Sequence, residues 1–197
     1  MATRGRPRGF DRDLALQKIM DVFWAKGYEA AQLNDLTAAI GITPPSFYAA
    51  FGSKEQAFRE AVSLYVETAG SGSMRALNTG ETAQQAIRAM LLASIDVALN
   101  APQSNGCLLI LGVMNCQAET EPLYYLLKGV RKETVERVRA RLERGVADGD
   151  LPQTTDIATL ASYYGAIMQA ISMQARDGAR RPELEALVGP SLTALQQ

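Results

Sequence analysis

Few side chains in this sequence could do chemistry, and those few suit gripping anions better than breaking bonds. Histidine is absent, which removes His-based triads, His metal ligands and the commonest general base. No HExxH, CxxC, phosphate-loop or GxGxxG pattern occurs, and no pair of acids stands out from solvated helix faces. Catalysis, a metal site and a cofactor are therefore not expected. Cys107 and Cys116 lie in an apolar stretch with no Lys or Arg beside them. They read as small buried hydrophobes, not as a redox switch. Basic and hydroxyl groups cluster instead near the N-terminus. Arg4, Arg6 and Arg8 occupy a tail without acids, and Thr43, Ser46, Tyr48 and Lys54 follow. Those are groups that hold phosphate.

Residues 32–56 decide how these groups are presented. Leu33, Leu36 and Ile40 recur at helical spacing, and Gly41 stops that helix because it tolerates a left-handed cap. Thr43 caps a second helix, with Pro44 and Pro45 in its first turn, where a missing N–H costs nothing. Since Pro45 has no donor, the Thr43 hydroxyl is expected to bond the N–H of Ser46. Phe47 and Phe51 face inward, leaving Ser46, Tyr48 and Ala49 outside. Gly52 ends this helix, and Ser53-Lys54-Glu55-Gln56 opens the next with a capping-box pattern. Such a helix, turn and helix place a recognition helix in the DNA major groove. An Arg-rich arm ahead of it reaches into the adjacent minor groove. Two short helices in an ordinary all-α core carry the same pattern, so wider context matters.

That context is helical throughout. A first helix spans about Asp11 to Lys26, and Gly27 ends it. The helix from Ser53 carries Phe58, Val62, Tyr65 and Val66. Gly70-Ser71-Gly72-Ser73 breaks the composition, which puts a boundary between residues 1–69 and 70–197. Thr82 opens a helix through Val97, and an apolar helix is expected from Cys107 to about Gln117. A long helix runs from Pro122 to Gly149, its arginines (Arg131, Arg137, Arg139, Arg141 and Arg144 among them) on a solvated outer face with interleaved Glu. Asp156 caps a helix to about Asp177, and a last one spans Pro182 to Leu195. The fold class is all-α, a helix-turn-helix domain followed by a larger helical domain.

Net charge is −1 and hydrophobic content 47%, so DNA attraction must come from local charge. The most apolar run, Cys107 to Met114, is too short to span a bilayer. No targeting segment is visible, and cytoplasm is the expected location.

The segment Phe23 to Ala61 resembles the DNA-binding domain of TetR-family transcriptional regulators. The resemblance rests on Phe23, Gly27-Tyr28-Glu29-Ala30, Asp35-Leu36, Gly41-Ile42-Thr43, Phe47-Tyr48, Phe51, Ser53-Lys54-Glu55 and Phe58, in register without a gap. Many members have Thr where this chain has Ala31, and its cap and phosphate roles would pass to Gln32 or be lost. Many also have an aromatic or His at Ala50, so which bases are read stays open. The resemblance implies a homodimeric regulator, expected to be a repressor released from a palindromic operator by a small molecule. The expected DNA contacts are Arg4, Arg6, Arg8, Gln32, Thr43, Pro44, Pro45, Ser46, Tyr48, Ala49 and Lys54. The effector pocket is expected at Met90, Leu109, Val113, Met114, Tyr124, Tyr163 and Met168. The last two helices carry extra apolar faces, and in the family they pair with symmetry mates. Gly165, Met168, Ser172, Leu187, Leu192 and Leu195 are the expected dimer interface. The alternatives are a helical enzyme or ligand carrier with an accidental motif, and an architectural DNA-binding protein without an effector.

Overall fold

A computed structural model describes residues 10–101, 105–115 and 117–196, and no strand occurs among them. The N-terminal head comprises α1 (Arg12–Ala30), α2 (Leu33–Ile40), α3 (Pro44–Phe51) and α4 (Lys54–Glu67). The body comprises α5 (Gly72–Ala76), α6 (Ala83–Leu99), α7 (Leu108–Leu111), α8 (Glu121–Asp148), α9 (Ile157–Arg176), α10 (Arg181–Glu185) and α11 (Val188–Thr193).

Local caps set most boundaries. Asp11, Ser53, Thr82 and Asp156 each accept a backbone N–H three residues on, at Leu14, Gln56, Gln85 and Thr159. Gly41 closes α2 in the left-handed region at φ 71°. The glycine-serine stretch after α4, read as a linker, instead folds into a tight turn over Ala69–Ser71 and the short α5.

Two departures from expectation have clear causes. The helix after Cys107 ends at Leu111 rather than near Gln117, because the Gly112 carbonyl leaves the helical ladder to accept the Tyr28 N–H at 2.7 Å. Gly27, at φ 73°, brings the head against this point, and a Cβ there would lie 3.3 Å from the Gly112 oxygen. The last helix is split at Ala186 and Leu187, so that Pro190 falls in the first turn of α11, where its absent N–H has no partner to lose.

Buried side chains form two clusters. One joins α1 to α4 with Leu108, Val113, Leu123 and Leu127 from the body; the other lies between α6, α8, α9 and the last helices. The head core is aromatic, with Phe23, Tyr28 and Phe58 in mutual contact at ring separations of 5.0 to 6.1 Å.

Candidate nucleic-acid interface and effector cavity

Helix α3, the expected recognition helix, is anchored by two aromatic side chains and presents nearly everything else. Phe47 and Phe51 are buried with rings 5.3 Å apart, while Pro44, Pro45, Ser46, Ala49 and Tyr48 are exposed, Tyr48 by 50%. Thr43 at the cap is exposed too, but its hydroxyl meets the Ser46 hydroxyl at 3.0 Å and not the Ser46 N–H. Two side-chain hydroxyls thus satisfy each other and leave the Ser46 N–H open, since Pro44 and Pro45 have none and the Phe47 N–H donates to the Thr43 carbonyl at 2.9 Å. Gln32 opens α2, its N–H donating to the Asp35 carboxylate at 2.9 Å. Lys26 pairs with the same carboxylate at 2.7 Å, and these contacts hold the Asp35 pKa below the usual range.

Lys54 is half-buried at the start of α4, its ammonium 4.4 Å above the Tyr28 ring. Burial pushes its pKa down, against the pull of Glu29 and Asp35. Arg12 was not singled out by sequence reasoning. Its guanidinium pairs with Glu60 at 2.6 Å, donates to the Ala50 carbonyl at 3.3 Å and lies 4.8 Å from the Phe51 ring. It pins α1 to the end of α3. Its spacing from its partners, tens of residues away, leaves no local signal. Arg4, Arg6, Arg8 and Cys116 lie outside the described residues.

In the body, a cavity of about 230 Å³ opens between α4, α5, α6, α8 and α9. Of the expected pocket residues, Leu109 and Met168 line it. Val113, Met114 and Tyr124 line a neighbouring shallow hollow with Met173, and Met114 is largely exposed. Met90 and Tyr163 line neither: Met90 is fully buried in the body core, and Tyr163 packs against that core. Polar groups that sequence reasoning missed share the wall, including Tyr65, Arg131 and Ser94, and so does Cys107. Arg131 is half-buried and donates to the Leu109 carbonyl, so it leaves the solvated face assigned to it. Burial pushes its pKa down.

The expected dimer stripe is turned inward. Gly165, Met168 and Ser172 border the cavity, and Gly165 lies against Val135 of α8. Leu192 and Leu195 are buried in the body's own core, and Leu187 packs on it. Helical spacing found the stripe but could not say which neighbour it meets.

Residues 15–61 match the family described as bacterial regulatory proteins, tetR family, and residues 83–184 match the tetracyclin repressor-like C-terminal domain. The chain belongs to the tetR family. This tetR-family protein is a DNA-binding transcriptional regulator. It is 31% identical over 191 residues to the transcriptional repressor ComR of Escherichia coli K12, covering 96% of this chain and 91% of ComR. It is 27% identical to the regulator YezE of Bacillus subtilis, covering 97% of this chain and 99% of YezE. Among solved structures, a cysteine-substituted form of the regulator CifR, complexed with 26-bp double-strand operator DNA, superposes with a TM-score of 0.90 at 41% identity, over 96% of this chain and 99% of CifR.

Within this tetR-family regulator, head and cavity meet through side chains. The Tyr65 ring, on α4, packs edge-on against Trp24 of α1 at 4.8 Å, and its hydroxyl donates to the Cys107 thiol at 3.2 Å. The Cys107 N–H in turn donates to the Ser172 hydroxyl at 2.8 Å. Burial pushes the Cys107 thiol up, opposed by the Tyr65 hydrogen bond. The Trp24 indole donates to the Gly106 carbonyl at 2.7 Å, and Arg176 of α9 donates to the carbonyls of Ala25 and Trp24 at 3.1 and 3.3 Å. Those carbonyls end the regular part of α1 before Gly27, so the body caps the head. No helix among the described residues is long and apolar enough to cross a membrane.

Proposed function

We propose that this regulator is a homodimeric repressor that binds a palindromic operator and is released when a small molecule enters the body cavity. The observation that carries the reading is Tyr65. One side chain lines the cavity, packs on Trp24 of the head, and belongs to the helix that presents Lys54 at its other end. A ligand that displaces Tyr65 or Cys107 therefore acts on α1 and α4 together. Release follows only as far as the ligand prefers the conformer with the wrong head spacing.

In the DNA-bound state, α3 enters the major groove with Pro45, Ser46, Tyr48 and Ala49 toward the bases and sugar-phosphate edge. Gln32 and Lys54 sit at the starts of α2 and α4, where free N–H groups favour phosphate, and Thr43 and Pro44 bring the start of α3 to the same backbone with the Ser46 N–H. Arg4, Arg6 and Arg8 serve the minor groove. Two heads then meet successive major grooves about 34–36 Å apart. ComR, a repressor by name, and CifR, bound to operator DNA, support the repressor reading. The dimer is assigned to the outer stripe of α9, where Ala158, Ser162, Ala166, Gln169 and Met173 are exposed at helical spacing. Their mostly small side chains permit close helix approach.

Selection of bound fragments from genomic DNA, followed by ligand competition on the recovered operator, tests the reading. Tyr65→Phe should keep operator affinity within about twofold while changing the effector concentration for half-release several-fold, because one hydrogen bond of about 1 kcal/mol is lost from the coupling path. Recovery of no preferred sequence would refute the operator reading, and unchanged release in Tyr65→Phe would refute the path.

A further inference from the structure

A third space, of about 200 Å³, lies beside the cavity that Tyr65 lines, and its chemistry differs. Arg137, Arg141 and Arg144 line it from α8, opposite Met74, Leu77 and Asn78. Positions four and three apart share one helix face, so the three guanidinium groups converge. Arg141 is only 3% exposed. One of its nitrogens, Nη2, donates to the carbonyls of Gly80 and Glu81 at 3.2 and 3.3 Å. Its Nε and Nη1 are buried with no hydrogen-bond partner among the described residues.

Two unmet charged donors in a buried place are costly unless an acceptor arrives. The surroundings do not supply one. Arg137 is committed to Glu133 at 2.6 Å, and the Asp150 carboxylate accepts the Ala83 N–H. Asp148 and Asp150 offset the charge of Arg141 only through space, while burial and Arg144 weigh against it. Water would fill a hydrogen bond but neutralise nothing. A carboxylate or phosphate does both, and it matches the planar fork of a guanidinium bidentately. The third space and the cavity adjoin across Met74, Asn78 and Arg137, which line both.

We propose that the effector is an amphipathic acid whose carboxylate or phosphate is held by Arg141 and Arg144 while its apolar part fills the larger cavity. This rests on the reading of that cavity as the effector site. Calorimetric titration of the full-length protein with sodium octanoate, octyl phosphate, 1-octanol and inorganic phosphate tests it. The two octyl acids should bind more tightly than octanol or phosphate. Arg144→Gln, a change on the surface that should leave the ligand-free melting temperature unaltered, should weaken both acids about tenfold, the factor expected for one charge-assisted hydrogen bond. Octanol affinity should not change. Arg141→Lys should weaken the acids further, because an ammonium cannot make the bidentate pair.

Equal affinity for octanol and octanoate, or octanoate bound as well by Arg144→Gln as by the parent, overturns the acid site and leaves the effector cavity standing. Phosphate binding lost in Arg144→Gln, with no gain from an octyl chain, overturns the amphipathic ligand in favour of free phosphate. Failure of every octyl probe, octanol included, counts against the cavity itself.

Discussion

The head and the body are both built entirely from helices among the described residues, yet their interiors are opposites. Among the described residues, the head buries few polar groups, Thr37 and the Tyr65 hydroxyl among them, within a set of interlocked aromatic rings. The body buries Ser73, Ser94, Thr120, Arg141, Ser172 and Ser191, and is hollow. Close apolar packing gives one arrangement, which suits the proposed reading surface with Tyr48 and Ala49 held in fixed register. A hollow, partly polar interior leaves room for a small molecule, as the proposed effector reading requires. On the proposed reading, the contrast separates the effector site from the DNA-reading surface, with Tyr65 and Trp24 between them.

The largest expected effect sets the two interiors against each other directly. Phe58→Ala removes a fully buried ring from the head and should cost about 3–5 kcal/mol, read from denaturant melts. Met168→Ala borders space already empty and should cost less than about half as much. Equal losses would mean that the cavity wall is packed as tightly as the head.

The next test separates the inner from the outer face of α9. Ala166→Arg should give a folded monomer by light scattering, with operator affinity lowered by about 100-fold or more once the two half-sites are no longer linked. Met168→Glu should instead keep the dimer and lower the melting temperature, because its charge enters the cavity wall. The reverse pattern would restore Met168 to the interface.

A smaller effect is expected at the DNA surface. Lys54→Ala should weaken binding to all sequences alike and reduce the slope of log K against log salt by about one. An unchanged slope would leave Lys54 a purely structural partner of Tyr28.

The finest test concerns the wall of the hollow. Because burial raises the Cys107 thiol above its ordinary value, little thiolate exists at pH 7. Iodoacetamide labelling of Cys107 should be slow there and should accelerate about tenfold per pH unit to beyond pH 9. A rate already level below pH 8, followed by mass spectrometry, would indicate an activated thiol and a sensing role.

Much of the head was legible in the sequence because its instructions are local. Gly41, Thr43, the two prolines, Gly52 and Ser53 mark starts and stops within a few residues of where they act, and Phe47 and Phe51 name the buried side of α3. Arg12 was not legible, since its partners Ala50, Phe51 and Glu60 are distant in the chain and any of several basic residues of α1 could have met them. In the body, periodicity located the helices but not their neighbours. The stripe Gly165, Met168 and Ser172 was visible as apolar and small, but whether it faced α8, a cavity or a second copy depended on how α9 is rotated against α8, and neighbouring residues on a helix differ by about 100°. Arg131 and Arg141 show the same limit, being indistinguishable in sequence from Arg139 and Arg144 on the same helix. By itself, then, the chain determined where its helices begin and end and which short segment reads DNA, because caps, glycines and prolines act on their immediate neighbours. Only the tertiary structure decided which side chains enclose the cavity and that Arg141 is left buried with donors unmet, because those depend on contacts between elements that no local pattern encodes.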